Sequence, residues 1–180
     1  MRVVALLAAC AIAPAWQAAA ADDAVDPNLR IHADAQLNAL RARPGACDRS
    51  KAWPQAAEAA DATDTPRPAA LRWNPKLAQA AARQAGTLAL TRHLAHVGPD
   101  GSTVRDRVRA VGYRWERIAE ALIAGPARLD EALATWLDRP QDCQALLDPH
   151  FVEFGLARVE AEHTTDVPRT YWVLVLGRPR

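Results

Sequence analysis

Apolar side chains recur every three or four positions along most of this chain, then crowd into unbroken short runs near its end. The first spacing is helical and the second belongs to strands. Ala33–Arg43 predicts a helix with Ala33, Leu37 and Leu40 inward, closed by Pro44-Gly45. Asn74-Pro75 opens another, with asparagine as N-cap and proline at the first helical position. Leu77, Ala81, Ala85 and Leu88 form its stripe, the alanines permit close packing, and the pattern carries it to His96. Gly98-Pro99-Asp100-Gly101 then turns the chain. Thr103 with Asp106 reads as a capping box, and Gly112 as the stop of a short helix. On that helix Val104, Val108 and Val111 share one face, with Arg105, Asp106 and Arg109 nearer solvent.

Arg117–Ala124 is an apolar, strand-like run in which Glu120 is the one charge after Arg117. Leu129, Leu133 and Trp136-Leu137 mark a further helix, stopped by Arg139-Pro140. Phe154–Val159 and Tyr171–Leu176 read as neighbouring antiparallel strands. The second is apolar at every position and so requires cover on both faces. The expected class is α+β, an α-β-α sandwich with Leu77, Leu88, Val108, Leu133, Trp136, Trp172 and Leu174 in its core.

Flanking segments carry a different signal. Met1-Arg2, an apolar Val3–Pro14 and Ala18-Ala19-Ala20-Ala21 read as a secretory signal peptide over residues 1–21. Leu7-Ala8-Ala9-Cys10 also matches a lipoprotein cleavage site, but leaves only a short signal before Cys10. Residues 22–32 read as a flexible leader and 33–180 as one domain. Its Ala-, Asp-, Thr- and Pro-rich stretch at about 48–70 reads as an insertion, with Trp53-Pro54 pinning part of it down. No later run is long enough for a membrane span. Net charge is +1 and lysine occurs only as Lys51 and Lys76, with no basic stripe, so nucleic-acid binding is set aside.

Removal of the signal leaves Cys47 and Cys143, and an even count in an exported chain argues for a disulfide. Closing so long a loop is worth about 4 kcal/mol in the chain-entropy model. The exported protein is expected to begin near Ala20–Asp23 with these thiols bonded. Intact mass with and without reductant checks both, and two free thiols or a lipid on Cys10 would contradict it.

The order of motifs resembles the CAP superfamily of cysteine-rich secretory, antigen-five and plant pathogenesis-related class-one proteins, most closely its small secreted bacterial members. The likeness runs through Leu37-Asn38, Leu71-Arg72-Trp73-Asn74, His96-Val-Gly-Pro-Asp-Gly-Ser-Thr, Asp106-Arg107, Gly112-Tyr113, Glu120, Trp136, Phe154-Gly155 and Tyr171-Trp172. It implies an antiparallel sheet between helical layers, and the pairing of a cysteine after the first helix with one after the tryptophan loop. It also implies a cleft of two histidines and one or two glutamates. His96 matches the first histidine and Glu120 the glutamate of a Gly-Glu-Asn-Ile motif, which here reads Ala119-Glu120-Ala121-Leu122. Asp142 stands where the second histidine usually sits.

One nitrogen and two oxygen donors can hold a divalent cation, and carboxylates move the preference from zinc toward calcium or magnesium. The alternative is a polar cleft in which His96 and Glu120 only hydrogen-bond, since burying a carboxylate requires a donor, a cation or water. His93 could complete a His-x-x-His pair but suits a partly exposed helix end, while His32, His150 and His163 fall in loops without pattern. A hydrolase needs a nucleophile beside a base, yet Ser102 and Thr103 serve the turn and cap, and Ser50 lies in the insertion. The reading is a secreted or periplasmic binding module, and more a binder than an enzyme. Its expected partner is a lipid, such as a sterol or fatty acid, or a cell-envelope or extracellular protein. The tryptophans fit either a core, above all Trp136 and Trp172, or a lipid groove beneath the 48–70 stretch.

Overall fold

Tyr171–Leu176 lies in the middle of the sheet and is buried along its whole length. The computed structural model describes residues 27–43, 47, 68–161 and 170–180. The signal, the start of the leader, Trp53, His163 and most of the insertion fall outside them. The described elements are α1 (Pro27–Arg41), β1 (Arg72–Trp73), α2 (Pro75–Thr91), α3 (Val104–Ala110), β2 (Trp115–Ala124), α4 (Leu129–Leu137), α5 (Pro140–Leu147), β3 (Glu153–Glu160) and β4 (Thr170–Pro179).

The sheet order is β1-β3-β4-β2. β4 pairs antiparallel with β3 and β2, as expected of Phe154–Val159 and Tyr171–Leu176, whereas the two-residue β1 adds a parallel edge that the sequence pattern did not announce. Alternation along β4 divides the core. Trp172, Leu174 and Leu176 meet Leu37, Leu133, Trp136 and Leu146 from α1, α4 and α5. Tyr171, Val173 and Val175 meet Leu77, Ala81, Ala85, Leu88 and Val108 from α2 and α3. That is the α-β-α sandwich, with all seven expected core residues buried.

Four local expectations are corrected. α1 starts at Pro27, inside the stretch read as leader, with proline in the first turn and Leu29 packed on the core. α2 ends at Thr91 rather than His96, because Arg92 turns into the left-handed region (φ 56°) and its N–H caps Leu88. His93 and His96 are therefore not a helical pair. Pro140 both stops α4 and opens α5 as its first residue, so Asp142 stands on the first turn of a helix rather than in a loop. His32, expected in a loop, stands exposed on α1.

Polar groups tie the layers together. Arg41, 2% exposed, donates from Nε to Ala69 (3.1 Å), from Nη2 to Asp148 (3.2 Å) and Phe151 (3.1 Å), and from Nη1 to Leu146, all at carbonyls. Burial lowers its pKa to about 10, opposed by Asp148. Asn38 on α1 acts as a backbone mimic: Nδ2 donates to the Leu71 carbonyl (3.1 Å) while Oδ1 accepts the Leu71 N–H (2.7 Å). Asn38→Ala is expected to destabilise by about 1–3 kcal/mol, since both groups of Leu71 lose their partner. A urea-denaturation shift of only a few tenths would show that water replaces the amide.

The expected cysteine pair is joined: Cys47 bonds Cys143 on α5, Cα atoms 5.8 Å apart, closing a sequence separation of 96. The bridge holds the segment after α1 to the helix that carries Asp142.

Candidate functional site: a buried carboxylate between a histidine and an arginine

β2 carries Glu120 toward the short helix α3, and the carboxylate is 1% exposed. Its two oxygens are both engaged. Oε1 lies 3.0 Å from His96 Nδ1, and Oε2 accepts from Arg107 Nη2 at 2.7 Å. Arg107 is itself 7% exposed at the side chain. It also donates from Nη2 to the His96 carbonyl and from Nη1 to the Ser102 carbonyl, both at 3.0 Å. One guanidinium thus neutralises the carboxylate and fixes the loop that presents the histidine.

Local sequence builds each part. Thr103 N–H and Oγ1 both donate to Asp106 Oδ2, at 3.0 and 2.7 Å, which starts α3 as the capping signal predicted. Gly112, at φ 70°, ends it. Gln84, 1% exposed on α2, donates to the Ala95 carbonyl at 2.6 Å and anchors the far side of the loop.

His96 is 63% exposed at the side chain. The hydrogen bond to Glu120 raises its pKa above the ordinary 6.5, burial opposes, and the charges of Glu120 and Asp142 add to the rise while Arg107 subtracts. With Nδ1–H given to Glu120, Nε2 is the ring nitrogen left to face outward. The sign of the pH effect follows. A raised folded-state pKa means that the contact stabilises fully below about 6.5 and loses its contribution as pH rises through the folded value. His96 is more than half exposed, so this slope is expected to be small. A stability profile from pH 5 to 9 should fall gently, and Glu120→Gln should flatten it.

Asp142 stands apart from this trio. Burial raises its pKa, with Arg139 and His96 pulling the other way, and Arg139 Nη1 lies 3.7 Å from it. The same Arg139 nitrogen donates to the Leu122 carbonyl (3.0 Å) on β2. Asp142 therefore acts on His96 through its field. His93 is exposed, and His150 pairs with Asp148 at 2.6 Å on another surface.

The donor set is a poor fit for a divalent ion. Both Glu120 oxygens are used, the group on Oε2 is a guanidinium already donating to it, and Asp142 faces Arg139. Among the described residues, no three His, Cys, Asp or Glu side chains gather closely enough to hold a metal. Arg107 is the residue that pattern reading passed over. Its signal was present: three residues after Val104 and four before Val111, it falls on the buried face of α3.

The sequence profile of the cysteine-rich secretory protein family matches residues 35–176. The chain belongs to the CAP family. Solved structures agree on the fold. An extracellular protein containing an SCP domain from Bacillus anthracis str. Ames superposes with a TM-score of 0.53 at 19% identity, covering 62% of this chain and 34% of that one. An outer surface protein from Borrelia burgdorferi gives 0.54 at 24%, covering 61% and 78%. A cysteine-rich secretory protein from Staphylococcus aureus subsp. aureus Mu50 gives 0.53 at 16%, covering 84% and 39%. This CAP chain thus spans well under half the length of two of them. A search of curated proteins finds no match. No helix among the described residues is long and apolar enough to cross a membrane.

Proposed function

We propose that this CAP protein is an exported binding module whose cleft is ordered by an internal ion pair instead of a bound cation. The observation that carries the reading is the Arg107 guanidinium seated on Glu120 where a cation-dependent cleft would need a free carboxylate oxygen. His96 Nε2 is then one outward-facing imidazole nitrogen, too few donors for a resident divalent ion. A hydrolytic role gains no support, since the hydroxyls of Ser102 and Thr103 are spent on the turn, the first bonded to the Asp100 carboxylate and Thr103 Oγ1 donating to Asp106.

Calorimetry of the processed protein against zinc, calcium and magnesium tests the reading. No saturable heat is expected from any of them. Stoichiometric zinc or calcium binding by the native protein would overturn the proposal.

A second reading, binding of a sterol or fatty acid, rests on a cavity of about 640 Å³ between α1, the start of α4 and β3. Its volume suits a small ligand. Its walls mix Leu29 and Trp172 with His32, Arg128, Asp130 and Arg158, which favours an amphipathic molecule over a bare hydrocarbon tail.

A further inference from the structure

Four large apolar side chains stand exposed among the described residues, and three of them share one stretch. Leu90, Leu94 and Val97 are 86%, 41% and 54% exposed. The stretch runs from the last turn of α2 into the loop that presents His96. Its main chain is held from the inside: Gln84 takes the Ala95 carbonyl, Arg107 the His96 carbonyl, and the Gly98 N–H donates to Ser102 at 2.8 Å. A loop pinned through consecutive carbonyls cannot rotate to bury Leu94 and Val97, so their outward direction is built in.

The charge of the stretch has one sign. From Leu77 to Pro99 the charged side chains are Arg83 and Arg92, with no aspartate or glutamate among them. The carboxylate that follows, Asp100, turns back to accept the Ser102 N–H at 2.9 Å. We propose that Leu90–Val97 is a docking surface for an anionic lipid bilayer. Leu90, Leu94 and Val97 enter the boundary between headgroups and acyl chains, and Arg92 and His93 meet lipid phosphates. Aliphatic side chains beside cations suit an interfacial lipid contact. Protein–protein hot spots draw instead on tryptophan and tyrosine, and the exposed large apolar residues here are Ile31, Leu90, Leu94 and Val97, none of them aromatic. The inference concerns a surface beside the cleft and does not rest on the cleft's own chemistry.

Co-sedimentation of the exported, processed protein with vesicles tests it. Binding is expected to phosphatidylcholine vesicles containing phosphatidylglycerol, with little to phosphatidylcholine alone and a marked loss in high salt. Leu90→Gln with Leu94→Gln should weaken binding at least about tenfold, whereas Ile31→Gln on α1 should leave it unchanged. Equal denaturation midpoints confirm that these surface variants fold. Absence of binding to the anionic vesicles, or equal binding by the double variant, overturns the proposal. So does concentration-dependent self-association that the double variant abolishes in the absence of vesicle binding, which would make the surface a protein contact.

Discussion

Arg107→Ala is expected to destabilise the protein by about 3–5 kcal/mol, the range for removing one partner of a buried ion pair. The cause is the group left behind. Glu120, 1% exposed, would keep only the partly exposed His96 as a counter-charge. The carbonyls of His96 and Ser102 would lose their donor at the same time. Replacing both members tells the pair from simple packing: Arg107→Met with Glu120→Gln should recover much of the loss, giving a clear coupling energy in a double-mutant cycle. Urea denaturation of the four proteins measures it. A cost for Arg107→Ala within a few tenths of a kcal/mol would mean that Glu120 finds water, and that the arginine does not order the cleft.

Gly155→Ala should be as damaging despite adding a single carbon. A Cβ at this position would lie 2.0 Å from the backbone nitrogen of Ala78 and 2.2 Å from the carbonyl carbon of Leu77. The obstacle is main chain of α2, which cannot swing aside as the tip of a side chain could. Overpacking typically costs about 1–3 kcal/mol, and a clash with helix backbone belongs at or beyond the top of that range. Gly155 pairs with Val175 in the middle of the sheet, so the whole α2 layer would have to lift. Thermal denaturation with near-UV circular dichroism reads the effect. An unchanged midpoint would mean that α2 slides freely over β3.

These two sites also mark where the sequence was legible. The alanine stripe of α2 signalled close packing, and Ala78, Ala81 and Ala85 are all buried. Its counterpart on β3 was a lone glycine, whose reason appears only when helix and strand meet. Periodicity located β4 because a central strand must be apolar on both faces, and α3 because its cap and its stop are local signals. It missed the start of α1 and the whole of α5, where a proline that ends one pattern also begins another. It overran α2 because nothing in the residue type of Arg92 announces a left-handed turn.

The cleft was half legible. Glu120 stood out as a carboxylate in an apolar strand, and its meeting with His96 followed from the resemblance. Its cation did not stand out, since an arginine on a short helix reads as surface until the valines around it are counted. Arg41 was hidden for the same reason. Its donors go to four backbone carbonyls, which no residue type in the sequence announces.

Under the proposed function, Glu120 held by Arg107 sets the state of His96 without a metal. NMR titration of the His96 ring in the native protein and in Glu120→Gln, each with and without zinc, tests this most directly. The native pKa is expected above 6.5, to fall on removal of the carboxylate and not to respond to zinc. A native pKa at or below 6.5, or one that zinc lowers in the native protein, would contradict it.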